Sequence, residues 1–180
     1  MQGTEDRPIE VFYSYSHEDE DYRKKLGKHL SVLRRAGLIA DWHDRDINAG
    51  IAWQEEIDRH LLSADIVLLL VSASFIASDY CWGDEMSNAL ARHKEKKARV
   101  VPIILHPCGW LMTPLNELQC VPRDNKAISL WPNEHAAFDD VLTEIAKVVD
   151  DLRRGRTAEP ELVEQASAVA VVALCNSGHG

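Results

Sequence analysis

Ile66-Val67-Leu68-Leu69-Leu70-Val71 is an unbroken apolar run, closed by Ser72-Ala73-Ser74. It is far shorter than the ~18 residues that span a bilayer. It is also too continuous for a strand with one wet face, so it reads as a strand covered on both sides. Arg99 to Leu105 (RVVPIIL) reads the same way, with Pro102 counting against a central position. Ile9 to Tyr15 (IEVFYSY), rich in β-branched and aromatic residues, is a third strand, and Leu38 to Trp42 a short fourth. Ala127 to Leu130 is expected to supply a fifth.

Helical patterns separate these strands. After Ser16, which offers an N-cap oxygen with Asp19 three residues on, come Tyr22, Leu26, Leu30 and Leu33 at helical spacing, and Gly37 can end that helix. Trp53, Ile57 and Leu61 share one face of the next. Trp82, Met86, Ala89, Leu90 and His93 are the inward candidates of another, whose outer face and end are basic (Arg92, Lys94, Lys96, Lys97). Phe138 to Leu152 closes the series. Strands alternating with helices imply right-handed βαβ units and a parallel sheet. The expected fold is α/β: a flavodoxin-like, doubly wound, five-stranded parallel sheet of order 2-1-3-4-5 with helices on both faces. Residues 1–8 form an N-terminal extension, 9–153 the domain, and 154–180 a linker or C-terminal tail containing Glu159-Pro160.

Composition narrows the function. The 180 residues carry 46% hydrophobic and 27% charged side chains, ordinary for a globular protein. A net charge of −9 argues against a nucleic-acid binder. The polar, acidic start MQGTEDRPIE is unlike a signal peptide, and no apolar run is long enough for a membrane, so a cytoplasmic location is expected. Cys81, Cys108, Cys120 and Cys175 form no CxxC pair. No metal is expected either: His43 with Asp44 and Asp46, or His106 with Cys108, supplies no three ligands at a recognised spacing.

In such sheets ligands bind beyond the carboxyl ends of the strands, where strand order reverses. Here that is between strands one and three, which directs attention to Ser14 to Glu18, His43 to Gly50 and Ser72 to Glu85. The first loop lacks GxGxxG, no GxxxxGK[ST] occurs, and strand three ends in Ser-Ala-Ser rather than a phosphoacceptor Asp. What stands there instead is a set of hydroxyls, aromatics and one carboxylate, Glu85, in the first turn of a helix. A carboxylate so placed suits chemistry that develops an oxocarbenium-like cation, and the helix N-terminus helps keep it ionised. Pairing with the helix dipole alone is the competing account of the same residue.

These segments, in this order, resemble a bacterial TIR (Toll/interleukin-1 receptor) domain of the NAD-cleaving type, from about Ile9 to Leu152. Phe12-Tyr13-Ser14-Tyr15-Ser16-His17 is similar to the family's first box. Asp44 to Gly50, followed by Trp53, Ile57 and Leu61, is similar to its loop after strand two. Ala64 to Ser72 resembles its third strand, and Ser78-Asp79-Tyr80-Cys81, with Glu85 four residues beyond the cysteine, its catalytic motif. Val101 to Leu105 and Pro107-Cys108-Gly109-Trp110 are similar to the strand and box that follow.

The resemblance implies cleavage of the nicotinamide–ribose bond of NAD by hydrolysis or cyclisation, with NAD as substrate and no separate cofactor. In that reading Glu85 is catalytic, Trp53 stacks on an NAD ring and Arg45 faces the pyrophosphate or a neighbouring subunit. Tyr13, Ser14, Cys81 and Trp82 line the pocket. Structural alternatives stand beside each role: Trp53 as core, Arg45 paired with Asp44 and Asp46, Cys81 as a small buried residue, and Asp84 as a rival to Glu85. The implied partners are further TIR domains, through self-association, and a sensor domain or protein, in bacterial immune signalling. The alternative activity is that of a non-catalytic adaptor working through TIR–TIR contacts at Asp44 to Gly50.

Overall fold

A computed structural model of the chain describes residues 7–42, 53–79, 83 and 86–175, with side chains for all of these except 53, 54 and 157–175. Among the described residues a four-stranded parallel sheet has the order β2-β1-β3-β4. Its strands are β1 (Ile9–Ser14), β2 (Ile39–Trp42), β3 (Ile66–Val71) and β4 (Arg99–Ile104). The register sets Val11 beside Asp41 and Ile66, and Leu69 beside Pro102.

Side chains of a strand alternate between faces, so the apolar run of β3 feeds two cores. Ile66, Leu68 and Leu70 pack with Ile9, Val11 and Tyr13 under Leu26, Leu30 and Leu33, and under Phe138, Val141 and Ile145. Those residues belong to α1 (Glu20–His29), α2 (Ser31–Arg35), Leu30 at the junction of the two, and α6 (Glu134–Cys175). Val67, Leu69 and Val71 pack with Phe12 under Ile57, Leu61, Phe75 and Met86. That second layer is α3 (Trp53–Ser63), α4 (Ala73–Ala77) and α5 (Met86–Lys94). Every β3 side chain is fully buried. At ~1.5–3 kcal/mol per buried aliphatic side chain, this strand anchors both layers.

Several expectations hold in detail. Gly37 ends the first helical pattern at φ +70°, a conformation that costs other residues strain. Pro102 is accommodated because alternate residues of β4 face away from β3. Val100 N–H donates outward to His93 Nδ1 and Ile104 N–H to the Val121 carbonyl, so the proline occupies a position whose N–H is not needed by the ladder.

Others are corrected. The expected fifth strand at Ala127 to Leu130 is a 3-10 turn at Ile128–Leu130. The flank of β4 is met instead by Val121, in a single parallel bridge to Ile103, and by Ser129 N–H on the Leu105 carbonyl. Pro122 directly after the bridge cannot donate to a ladder, which stops that pairing at one residue. The stretch after Ser72, expected as loop, contains α4. Arg92, expected on an outer basic face, turns inward and donates to the carbonyls of Leu61 (2.6 Å) and Ala64 (2.9 Å) at the end of α3. The closing helix begins at Glu134, with Asn133 Oδ1 accepting from His135 N–H at 2.9 Å, and runs past residue 153 to Cys175.

Candidate functional site

The chain leaves β1 through Ser14, which is buried, and Tyr15, whose hydroxyl donates to Glu20 at 2.8 Å. Ser16 caps a 3-10 turn at His17–Asp19. Asp19, the last residue of that turn, is 6% exposed, and its carboxylate accepts a short hydrogen bond from Ser72 Oγ. Ser72 in turn accepts from Phe75 N–H at 3.0 Å, capping α4. One residue earlier in the turn, Glu18 accepts from Ser74 Oγ at 2.6 Å. Two side-chain links therefore fasten the turn after β1 to the cap and first turn of α4 after β3, across the reversal of strand order.

The electrostatics at this point follow from burial. Loss of water raises the Asp19 carboxyl above the ordinary carboxylate range, against the hydrogen bond from Ser72 and the charge of His106, while Glu18 adds to the rise. Cys108, beyond β4, is half-buried with its thiol pushed up, first by burial and then by Asp19, against a backbone hydrogen bond at Trp110. Cys120 is fully buried, its thiol raised by burial to about 11. Neither thiol is a ready nucleophile at neutral pH. Asp19 is likewise held by its donor and enclosed, a fastening rather than a free base.

Of the residues singled out from the sequence, Tyr13 and Ser14 are described, and they part company. Ser14 lies on the α3–α5 side with Phe12. Tyr13 lies on the other, buried among α1, α2 and α6, its hydroxyl donating to Asp41 Oδ2 at 3.0 Å. Burial, then Asp41, holds that phenol well above its usual value. Asp41 also accepts from Arg34 through Nε and Nη2, both at 2.6 Å. Arg45, Cys81, Trp82 and Glu85, the side chain of Trp53, the rival Asp84 and the segment Asp44 to Gly50 lie outside the described residues.

Sequence reasoning did not single out Ser72 as a partner of Asp19, or His106 as its neighbour. The available signal was Ser72 itself, a cap residue at the end of the most buried strand. Among the described residues no three His, Cys, Asp or Glu side chains converge as metal ligands, and no helix is long and apolar enough to cross a membrane.

A parallel sheet covered by helices on both faces, with a polar, cross-fastened point at the carboxyl ends of β1 and β3, defines an α/β fold. A family profile for the TIR domain matches residues 11–142, and the chain belongs to that family. The uncharacterized protein y4lF of Sinorhizobium fredii is 46% identical over 160 residues, which are 89% of this chain and 50% of that protein. The chain thus spans half the length of this curated relative. Among solved structures, the TIR domain of the Toll-related receptor TRR-2 from Hydra magnipapillata is similar at 22% identity and a TM-score of 0.48, covering 62% of this chain and 81% of that one. The TIR domains of the activated Roq1 resistosome, which directly recognizes the pathogen effector XopQ, are similar at 18% identity and a TM-score of 0.47, covering 78% and 84%.

Proposed function

We propose that this TIR domain cleaves the nicotinamide–ribose bond of NAD, with Glu85 as the carboxylate that stabilises the developing ribosyl cation, and that self-association activates it. The observation that supports this reading is the course of α5. Arg92 and His93, near its end, reach the carbonyls that close α3 and the backbone of β4, at the amino end of the sheet. Met86, which opens the helix, is about 9 Å nearer the carboxyl end at 1.5 Å per residue. Glu85 is the residue bonded to it. A carboxylate that directly precedes a helix in the sequence is favoured in its charged form by the helix dipole. Preorganised negative charge at a developing cation is worth a few kcal/mol in such reactions.

In this reading Ser14, Cys81 and Trp82 contact the substrate, Trp53 stacks on a ring and Arg45 faces the pyrophosphate. Tyr13 contributes from the opposite face: by holding Asp41 it fixes the end of β2, from which the chain enters the segment Asp44 to Gly50. Both hydrolysis to ADP-ribose and cyclisation begin with the same bond cleavage.

The test incubates the concentrated protein with NAD, with and without a crowding agent, and follows nicotinamide by chromatography beside Glu85→Ala. Release by the native chain and not by the variant is expected. Equal release from both removes Glu85 and turns attention to Asp84. No release from a sample shown by light scattering to be oligomeric overturns the enzyme reading in favour of an adaptor.

A further inference from the structure

On the α1–α2 face, away from the switch point, lies an open cleft of about 660 Å³, within the usual range for small-molecule sites. Arg23, Lys24 and Lys28 of α1 and Arg34 and Arg35 of α2 line it, against a single carboxylate, Asp41. That carboxylate is already engaged by the Arg34 fork and by Tyr13. Arg23 and Lys24 share Glu20, at 2.7 and 3.7 Å. The Arg23 guanidinium also lies over the Tyr15 ring, 5.9 Å from its centroid. Lys28 and Arg35 have no carboxylate partner among the described residues. In a chain of net charge −9 this is a local excess of cations.

The second observation is Gly27, also in the lining. It sits in the interior of α1, where glycine costs about 1 kcal/mol relative to alanine. A Cβ added there meets nothing within 4 Å, so no neighbouring side chain or backbone explains the glycine. What its missing side chain does is deepen the cleft between the basic residues of the two helices.

We infer that this cleft binds a small soluble ligand carrying a pyrophosphate or longer phosphate chain. Planar guanidinium forks match phosphate oxygens two at a time, and the cation excess exceeds what one phosphate neutralises. No aromatic ring is among the described lining residues, so recognition rests on the phosphates rather than on stacking a base. A long polyanion would extend from this short concavity over an acidic molecule, which disfavours nucleic acid. A second basic cleft, of about 650 Å³, lies at the amino end of the sheet, with Lys96, Lys97 and Arg99. It carries two carboxylates, Asp65 and Asp151, among its cations, and serves as the internal comparison.

The test is calorimetric titration of the full chain, without NAD, using sodium pyrophosphate and tripolyphosphate at fixed ionic strength, with sulfate as comparator. One site per chain is expected, tighter for tripolyphosphate than for sulfate. The double variant Lys28→Ala/Arg35→Ala should weaken it by about tenfold or more. Gly27→Leu, which keeps every cation and fills the cleft, should abolish it, while Gly27→Ala raises the melting temperature and confirms an intact fold. Lys96→Ala/Lys97→Ala should leave the affinity unchanged. Binding that ignores Gly27→Leu, follows Lys96 and Lys97, or is matched by sulfate overturns the inference. So does an absence of phosphate binding, or a preference in parallel titrations for duplex DNA or anionic vesicles.

Discussion

Ser72 joins two functions in one hydroxyl, and Ser72→Ala separates them. The hydroxyl caps α4 by accepting from Phe75 N–H, and it donates to the buried Asp19 carboxylate. Loss of a serine cap costs about 1 kcal/mol. Leaving a buried acceptor without its donor costs a further ~1–3 kcal/mol. The sum, about 2–4 kcal/mol, corresponds to a fall in melting temperature of roughly 4–16 °C at 2–4 °C per kcal/mol for a domain of this size.

The pH dependence identifies which part is which. Burial raises the folded pKa of Asp19 above its unfolded value. The folded state therefore holds that proton more readily, and this contribution to stability is full below the unfolded pKa and lost as pH rises through the folded one. Removing the Ser72 donor, which opposes the rise, widens that window upward. The penalty of Ser72→Ala should be largest near neutrality and shrink toward the cap contribution once Asp19 is protonated. Urea unfolding at a series of pH values from acid to neutral measures it, with Asp19→Asn/Ser72→Ala closing a double-mutant cycle. A penalty independent of pH, or a cycle with no coupling, would show that the Asp19–Ser72 contact does not fasten the switch point and would refute the reasoning.

Arg92→Ala removes a guanidinium that donates to the carbonyls of Leu61, Ala64 and Lys97; a loss of about 2–3 kcal/mol in chemical denaturation is expected, and Arg92→Lys should recover only part of it. Burial raises the Asp41 carboxyl, yet the hydrogen bonds from Arg34 and Tyr13 and the Arg34 charge hold it below the ordinary carboxylate range. Its folded pKa lies below its unfolded one, so the stability it contributes is present above the unfolded value and lost as pH falls through the folded value. Asp41→Asn should accordingly flatten the acid limb of the stability profile measured by urea unfolding. Gly37→Ala, at φ +70° with open space around the new Cβ, should cost about 1 kcal/mol from the backbone alone, read as a lowered midpoint at unchanged slope.

Where hydrophobic burial decided the structure, the sequence was readable. The run Ile66 to Val71 gave β3 and both cores, because a strand with no polar side chain has nowhere to go but the centre. Ile57 and Leu61, or Leu26 and Leu30, landed where their spacing put them. Where polar groups decided, it was less so. Arg92 looks like one more surface cation, and only the open carbonyls at the end of α3 draw it inward. Asp19 fits a local capping pattern, yet its carboxylate is taken by Ser72, 53 residues away. Ala127 to Leu130 has the residues of a strand, but the chain meets β4 at Val121 and the next residue is a proline. Tyr13 and Ser14 are neighbours in a motif and opposites in the sheet, a consequence of strand pleating that motif comparison does not register.

Charge teaches the same lesson at the scale of the whole chain. A net −9 is an average, and the fold sorts what it averages. Carboxylates at the switch point, along β2 and just before β3 are consumed locally, Asp19 by Ser72, Asp41 by Arg34 and Tyr13, and Asp65 by Arg7 and Arg156. Among the described residues, Lys28 and Arg35 are left without such partners beside Gly27. At physiological ionic strength an exposed charge is felt over about 8 Å, so an anion entering the α1–α2 cleft responds to the cations around it and only weakly to the acidic surface beyond. A long polyanion must lie across both and is opposed by the excess negative charge along its length. The composition therefore argues against an extended nucleic-acid partner while leaving room for a compact anion, and the two statements follow from the same screening length.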